Sequence, residues 1–282
     1  MKRVALINDL SGFGKCSLTA AIPVISVMRI QACPLPTAIL SAQTGFDSYY
    51  CDDYTDKMDY FTKYWKEMDV TFDGIYSGFL ADSRQIEKVL HFLEEFQTED
   101  TFYLADPVLG DHGKGYGIFT EELLCGMKEL TKKATVITPN LTELCMLAEV
   151  DYQELISHKQ DEDYIERIEA LCRELLQKAV RPQTIMVTGI LRHREGREWV
   201  GNLGVSEQEC FYMENPYTGK GFSGTGDLFA SVICGSMING LSVKEAMEKA
   251  AFFLQDAIEE ASAEGTPTVH GVQFEKYLSR LL

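Results

Sequence analysis

Four absences bound this 282-residue chain before any motif is read. No stretch of about 18 or more apolar residues occurs, which excludes an ordinary transmembrane helix. The start, Met1 to Asp9, lacks the long apolar region and small-residue cleavage site of a signal peptide, so the chain is expected to stay where it is made, in the cytoplasm. Basic residues are scarce: 26 Lys and Arg against 43 Asp and Glu give a net charge of −17. Phosphate neutralisation needs clustered Lys and Arg, so this balance argues against nucleic acid as a partner and leaves a local nucleotide site open. The eight cysteines stand singly, none in a C-x-x-C pair, which disfavours structural zinc. Several sit inside apolar runs and read as buried free thiols of a reducing compartment.

Familiar signatures are missing too. Gly12-Phe13-Gly14-Lys15 is not a P-loop, which requires G-x-x-x-x-G-K-[ST], and Ser17 breaks a dinucleotide-binding G-x-G-x-x-G. The five histidines (His91, His112, His158, His193, His270) show no metal or triad spacing. No repeat or Pro/Ser-rich linker divides the chain, so residues 1–282 read as one domain.

What is present is a recurring apolar run followed by a helical stretch, the pattern of a parallel sheet covered on both faces. Strands are expected at residues 4–8, 34–41, 74–77, 102–105, 135–138 and 184–187. Helices are expected at 17–29, 56–68, 83–97 (capped by Ser83), 121–131, 141–149, 161–178, 225–239, 242–262 and 272–281. Residues 197–203 and 208–214 alternate like an antiparallel hairpin. The expected fold is therefore a three-layer α/β/α domain with a mostly parallel central sheet and an antiparallel edge hairpin.

In such sheets chemistry gathers outside the carboxyl ends of the strands, and three segments there are unusual. Gly224-Thr225-Gly226-Asp227 opens an apolar helix. Glycines at a helix start let free N–H groups converge on an anion, assisted by the helix dipole. An aspartate there is the wrong charge for holding phosphate and helps only as a proton acceptor. Asp106-Pro107-Val108-Leu109-Gly110-Asp111 sets two acids directly after a strand, where a hydrated magnesium ion or plain solvent would suit them. Thr138-Pro139-Asn140-Leu141-Thr142-Glu143 reads equally as a helix cap or as part of a site.

Together, in this order, the three segments resemble the ribokinase-like kinases, with their N-x-x-E and later G-[AT]-G-D motifs. The D-P-V-L-G-D, T-P-N-x-x-E and G-T-G-D-L-F forms resemble the pyridoxal (vitamin B6) kinases in particular, and weaker likeness extends to Gly12-Phe13-Gly14 and to residues 41–46. The resemblance implies an ATP- and Mg2+-dependent kinase acting on the 5'-hydroxymethyl group of a B6 vitamer, with K+ as a candidate further cation and a homodimeric assembly. It implies Asp227 as base, Gly224, Thr225 and Gly226 as anion hole, and Asp111 and Glu143 as magnesium holders. Asn140, Asp106 and Thr188 would accompany them at the nucleotide. Asp9, Gln43, Thr44 and Phe79 would meet the acceptor. Here the sequence departs from the family: Gln43 replaces a ring-contacting histidine, and Asp9 stands where serine is usual, which leaves the vitamer open. A hydroxymethylpyrimidine kinase and a non-catalytic pyridoxal-binding protein remain alternatives, while a sugar or nucleoside kinase fits these motif forms less well.

Overall fold

Strands and helices alternate along the chain in the computed structural model, which describes residues 1–282. In order come β1 (Arg3–Ser11), α1 (Ser17–Val27), β2 (Gln31–Leu40), β3 (Cys51–Asp53), α2 (Thr55–Glu67), β4 (Gly74–Ser77), α3 (Ser83–Phe96) and β5 (Phe102–Ala105). The very short strands β6 (Gly110–Asp111) and β7 (Lys114–Gly115) lead to α4 (Glu121–Lys133), β8 (Val136–Ile137), α5 (Leu141–Ala148), α6 (Tyr152–Ser157) and α7 (Tyr164–Leu176). After β9 (Thr184–Arg194), β10 (Arg197–Val205) and β11 (Cys210–Pro216) the chain ends in α8 (Thr225–Ile238), α9 (Val243–Ala263) and two 3₁₀ segments. It divides into two compact units, Met1–Asp106 with Lys220–Leu282, and Pro107–Gly219.

In the first unit the strand order is β5-β4-β1-β2-β3. β1 runs parallel to β2 and β4, β4 parallel to β5, and only the short β3 is antiparallel. Val4, Ala5, Leu6 and Ile7 are wholly buried, as a parallel strand covered on both faces requires. Each large side chain so buried contributes about 1.5–3 kcal/mol relative to exposure. α8 is apolar all round because it is buried among α1, α9, β4 and β5. Its Gly235 admits the thioether of Met28, whose sulfur would lie 2.5 Å from an added Cβ.

The second unit carries the order β8-β9-β10-β11, with β8 and β9 parallel and the rest antiparallel. The expected hairpin is present as β10 and β11. β9 is longer than its apolar core suggests, because Glu195 and Gly196, both at positive φ (55° and 74°), turn it directly into β10. Two consecutive left-handed residues are the turn whose twist matches paired strands.

Three further expectations change. The cap of α3 is Asp82, whose carboxylate accepts from the N–H groups of Arg84 and Gln85, so Ser83 becomes the first helical residue. The 272–281 segment folds as a 3₁₀ helix at Phe274–Leu281, since its buried Phe274 and Leu281 suit either helix type. Cys51, Cys125 and Cys210 are exposed and Cys33 half-buried, leaving Cys16, Cys145, Cys172 and Cys234 as the buried thiols. No helix is long and apolar enough to cross a membrane.

Candidate active-site residues

In the first unit polar residues gather where β1 ends and where α1 and α8 begin. Gly224 caps α8 at φ 81°, and a Cβ there would lie 1.8 Å from the carbonyl oxygen of Lys15, so both conformation and space demand glycine. Thr225 turns its hydroxyl back to Phe222 O at 2.9 Å. The first-turn N–H groups that follow have no acceptor within the helix. Beside them, an added Cβ on Gly226 would meet nothing within 4 Å. Open space at a helix start with free donors suits an anion.

Asp227 stands in that first turn, half-buried. Burial pushes its carboxyl up to about 6. The Ser17 backbone N–H opposes the shift, the charge of Asp9 adds to it, and the Asn8 amide opposes it, donating to Oδ1 at 3.2 Å. Asp9 is itself buried and likewise raised by burial, with the hydroxyls of Ser17 and Ser11 (2.7 Å) pulling the other way. Ser17 takes a left-handed conformation, φ 49°, rare for a residue with a Cβ. That twist lets its N–H serve Asp227 while its hydroxyl serves Asp9. Next to it, burial and the charges of Asp227 and Asp9 push the Cys16 thiol up to about 12, which keeps it protonated and inert.

Gln43 lies in the same unit and is buried at 7% exposure. Its side chain donates to Val269 O at 2.9 Å and accepts from Gly45 N at 2.7 Å, while its N–H donates to Phe13 O at 2.9 Å. A weaker bond of 3.4 Å reaches the Ser223 hydroxyl. Gln43 thus fastens three loops beside the start of α8, and these loops carry the rings of Phe13, Phe46 and His270, packed together tilted or edge-on with centroids 5.3 to 5.6 Å apart. Thr44 is exposed on the adjoining loop. Phe79 is half-buried, its N–H donating to Asn8 Oδ1 at 2.8 Å. Asp106 is buried at the end of β5, its N–H bonded to Ser77 O.

The second unit holds the remaining candidates. Asn140 caps α5, and Glu143 completes a capping box: Glu143 N donates to Asn140 Oδ1 at 3.0 Å and Asn140 N to Glu143 Oε2 at 2.8 Å. The same two side chains reach outward. Leu109 N donates to Glu143 Oε1 at 3.1 Å, and Asn140 Nδ2 donates to Gly110 O at 2.8 Å. Thr188 pairs with Asn140 as a parallel bridge. Asn140, Glu143 and Thr188 therefore come together, with the 109–113 loop tied to them also by Gly113 N donating to Thr142 Oγ1. Asp111 sits exposed on that loop, its Oδ1 accepting from His112 N. The helix-cap reading of this segment is present as a full capping box.

No group of three or more His, Cys, Asp or Glu is built to grip a metal. An exposed Asp111 and a Glu143 whose oxygens each already serve a backbone N–H fit a magnesium ion that keeps most of its water, not a fully ligated one. Removing the cap has a calculable cost. Asn140→Ala is expected to lower stability by about 1 kcal/mol, and Glu143→Ala by about 1–3 kcal/mol, since buried Leu109 N loses its acceptor. Thermal melts of both variants check this, and unchanged midpoints would contradict it.

Sequence reading missed Asn8, Ser11, Ser17 and the three rings. The one available signal is a polar residue, Asn8, directly after the apolar run at residues 4–7.

The alternation of parallel strands and helices, with an antiparallel hairpin, is that of the ribokinase-like fold. The chain belongs to the phosphomethylpyrimidine kinase family, whose profile matches residues 18–271. It is similar to pyridoxal kinase PdxY of Histophilus somni, 26% identical over 191 residues, covering 66% of this chain and 63% of that relative, so the shared region spans under two thirds of the relative's length. A Bacteroides thetaiotaomicron protein assigned as a phosphomethylpyrimidine kinase is 36% identical over 99% of this chain and 93% of its own, with a TM-score of 0.92. The same Bacteroides protein has also been crystallised with pyridoxal. Pyridoxal kinase of Leishmania donovani, solved with ADP and pyridoxamine, shares the fold at 19% identity, 100% and 96% coverage and a TM-score of 0.85.

Proposed function

We propose that this chain is an ATP- and Mg2+-dependent kinase that phosphorylates the 5'-hydroxymethyl group of a B6 vitamer. The observation that carries the reading is a half-buried Asp227 at the open N-terminus of α8, held by Asn8 and Ser17 beside first-turn N–H groups with no helical acceptor. An acid in that place opposes a static phosphate and serves a hydroxyl that must lose its proton. The relationship to a protein crystallised with pyridoxal supports the choice of acceptor.

Asp227 takes the proton of the acceptor hydroxyl as that oxygen bonds to the γ-phosphorus and the bond to the β–γ bridging oxygen breaks, releasing ADP. The N–H groups of Gly224, Thr225 and Gly226 receive the charge of the transferring phosphoryl group. The transition state is loose, so a modest base suffices and positioning carries most of the acceleration. Asp9, Gln43, Thr44 and Phe79 are assigned to the acceptor side. Asn140, Glu143, Thr188, Asp106 and Asp111 are assigned to the nucleotide. Asp111 and Glu143 would hold magnesium, which would supply charge neutralisation on the phosphates; a K+ requirement belongs to the same reading. We further assign residues 1–282 to one kinase domain, a homodimer, acting in the cytoplasm.

A second reading, phosphorylation of hydroxymethylpyrimidine, is favoured by the family match itself. ATP consumption measured with Mg2+ and pyridoxal, pyridoxine, pyridoxamine or hydroxymethylpyrimidine separates the two. Turnover on a vitamer is expected. Turnover on the pyrimidine alone would move the assignment, and binding of pyridoxal without turnover on any acceptor would make the chain a binding protein.

A further inference from the structure

Asn8 lies within β1, at the register shift between Asn8 and Leu10, and is 1% exposed. Its orientation is set by its partners. Oδ1 accepts from the N–H of Asp9 at 3.0 Å and from the N–H of Phe79 at 2.8 Å, so Nδ2 is the group that faces Asp227 Oδ1 at 3.2 Å. The flipped amide would set its NH2 against two N–H donors. Room for the amide comes from Gly78, where an added Cβ would lie 2.4 Å from Asn8 Nδ2. One neutral side chain therefore joins Asp227 to Asp9 and to Phe79.

We propose that Asn8 is the positioning residue of the reaction: its amide fixes the carboxyl of Asp227 in one orientation and, by donating, keeps it a proton acceptor. This rests on the reading of Asp227 as base. The groups facing Asp227 are the Asp9 carboxyl from β1, the Cys16 thiol and Ser17 N–H at the start of α1, and the Tyr76 phenol from β4. Two of these, Asp9 and the buried Tyr76, disfavour or do not assist the charge on Asp227. The two donors, Asn8 and Ser17, oppose the upward push of burial, and Asn8 is the one that a side-chain substitution can remove.

Asn8→Asp tests the role with little change of shape. A carboxylate at position 8 still accepts from Asp9 N and Phe79 N, but it turns an acceptor towards Asp227, and two carboxyls that close share a proton. The expected result is an acidic limb of kcat/KM moved upward by at least about one pH unit, activity recovering towards wild type in alkaline buffer, and an unchanged KM for ATP. Asn8→Ala removes the donor together with the acceptor of the Asp9 and Phe79 N–H groups, adds no carboxyl, and is expected to move the limb upward by a smaller step. Circular-dichroism melts accompany both. An Asn8→Asp limb at the wild-type position, or a folded variant equally inactive at every pH, would overturn the proposal. If Asn8→Asp does not fold, the Asn8→Ala profile decides, and a limb coincident with wild type overturns it. Failure of the kinase reading is seen separately, as wild-type protein inert on every acceptor.

Discussion

Asp227→Asn is expected to lower kcat by about 10²–10⁴-fold, the range of a lost general base, while making the protein more stable at neutral pH. Both effects come from one fact: the native state pushes this carboxyl up to about 6 from an ordinary 3.8, with burial as the main cause. Between those two values the folded chain binds the proton that the unfolded chain releases, so stability falls as pH rises through the window and stays lowered above it. Asparagine removes the charge without removing the shape, and Asn8 and Ser17 keep a carbonyl oxygen to donate to. At about 1.36 kcal/mol per unit, discounted for partial exposure, the variant gains about 1–3 kcal/mol at pH 7.5, or about 2–4 °C in midpoint per kcal/mol for a chain of this class. The gain disappears near pH 4. Melting both proteins at pH 7.5 and pH 4 measures it. A gap of the same size at both pH values, or a variant that turns over normally, would remove Asp227 from its role.

The second large effect separates two glycines two positions apart. Gly224→Ala is expected to cost about 1–3 kcal/mol through its left-handed backbone alone, and more through the overlap of its Cβ with Lys15 O. The start of α8 must shift, and activity goes with it. Gly226→Ala meets no such obstacle, because its Cβ would enter open space within the first turn of a helix. There alanine is expected to add about 0.5–1 kcal/mol of stability over glycine, yet its methyl occupies the space assigned to the phosphoryl group, so kcat falls. Melting midpoints and kcat for both variants check the contrast. Two variants equal in stability would show that close approach does not govern Gly224, and a fully active Gly226→Ala would place the phosphoryl group elsewhere.

The α/β class, most strand ends and the α5 cap were legible in the sequence, because each depends on residues within a few positions of one another. Apolar runs of four or five residues announce covered parallel strands, and Asn140 and Glu143 fall at the spacing of a capping box that the structure contains. Glycines before Asp227 announced an open helix start for the same reason. The cap of α3 was misjudged by a single position, since aspartate and serine both cap and only backbone geometry chooses between them.

What surrounds Asp227 could not be read this way. Asn8 and Asp227 are 219 positions apart, and Gln43 and Val269 are 226 apart. No periodicity relates such pairs; they meet because β1 and α8 are packed as neighbours of α1 and β4. Local sequence therefore determined which residue types stand at the ends of the strands and at the start of α8. Tertiary structure alone decided which donor meets which acceptor, why Gly224 has no substitute, and how far burial lifts the Asp227 carboxyl, because orientation, close approach and desolvation all depend on chain segments that arrive from far away.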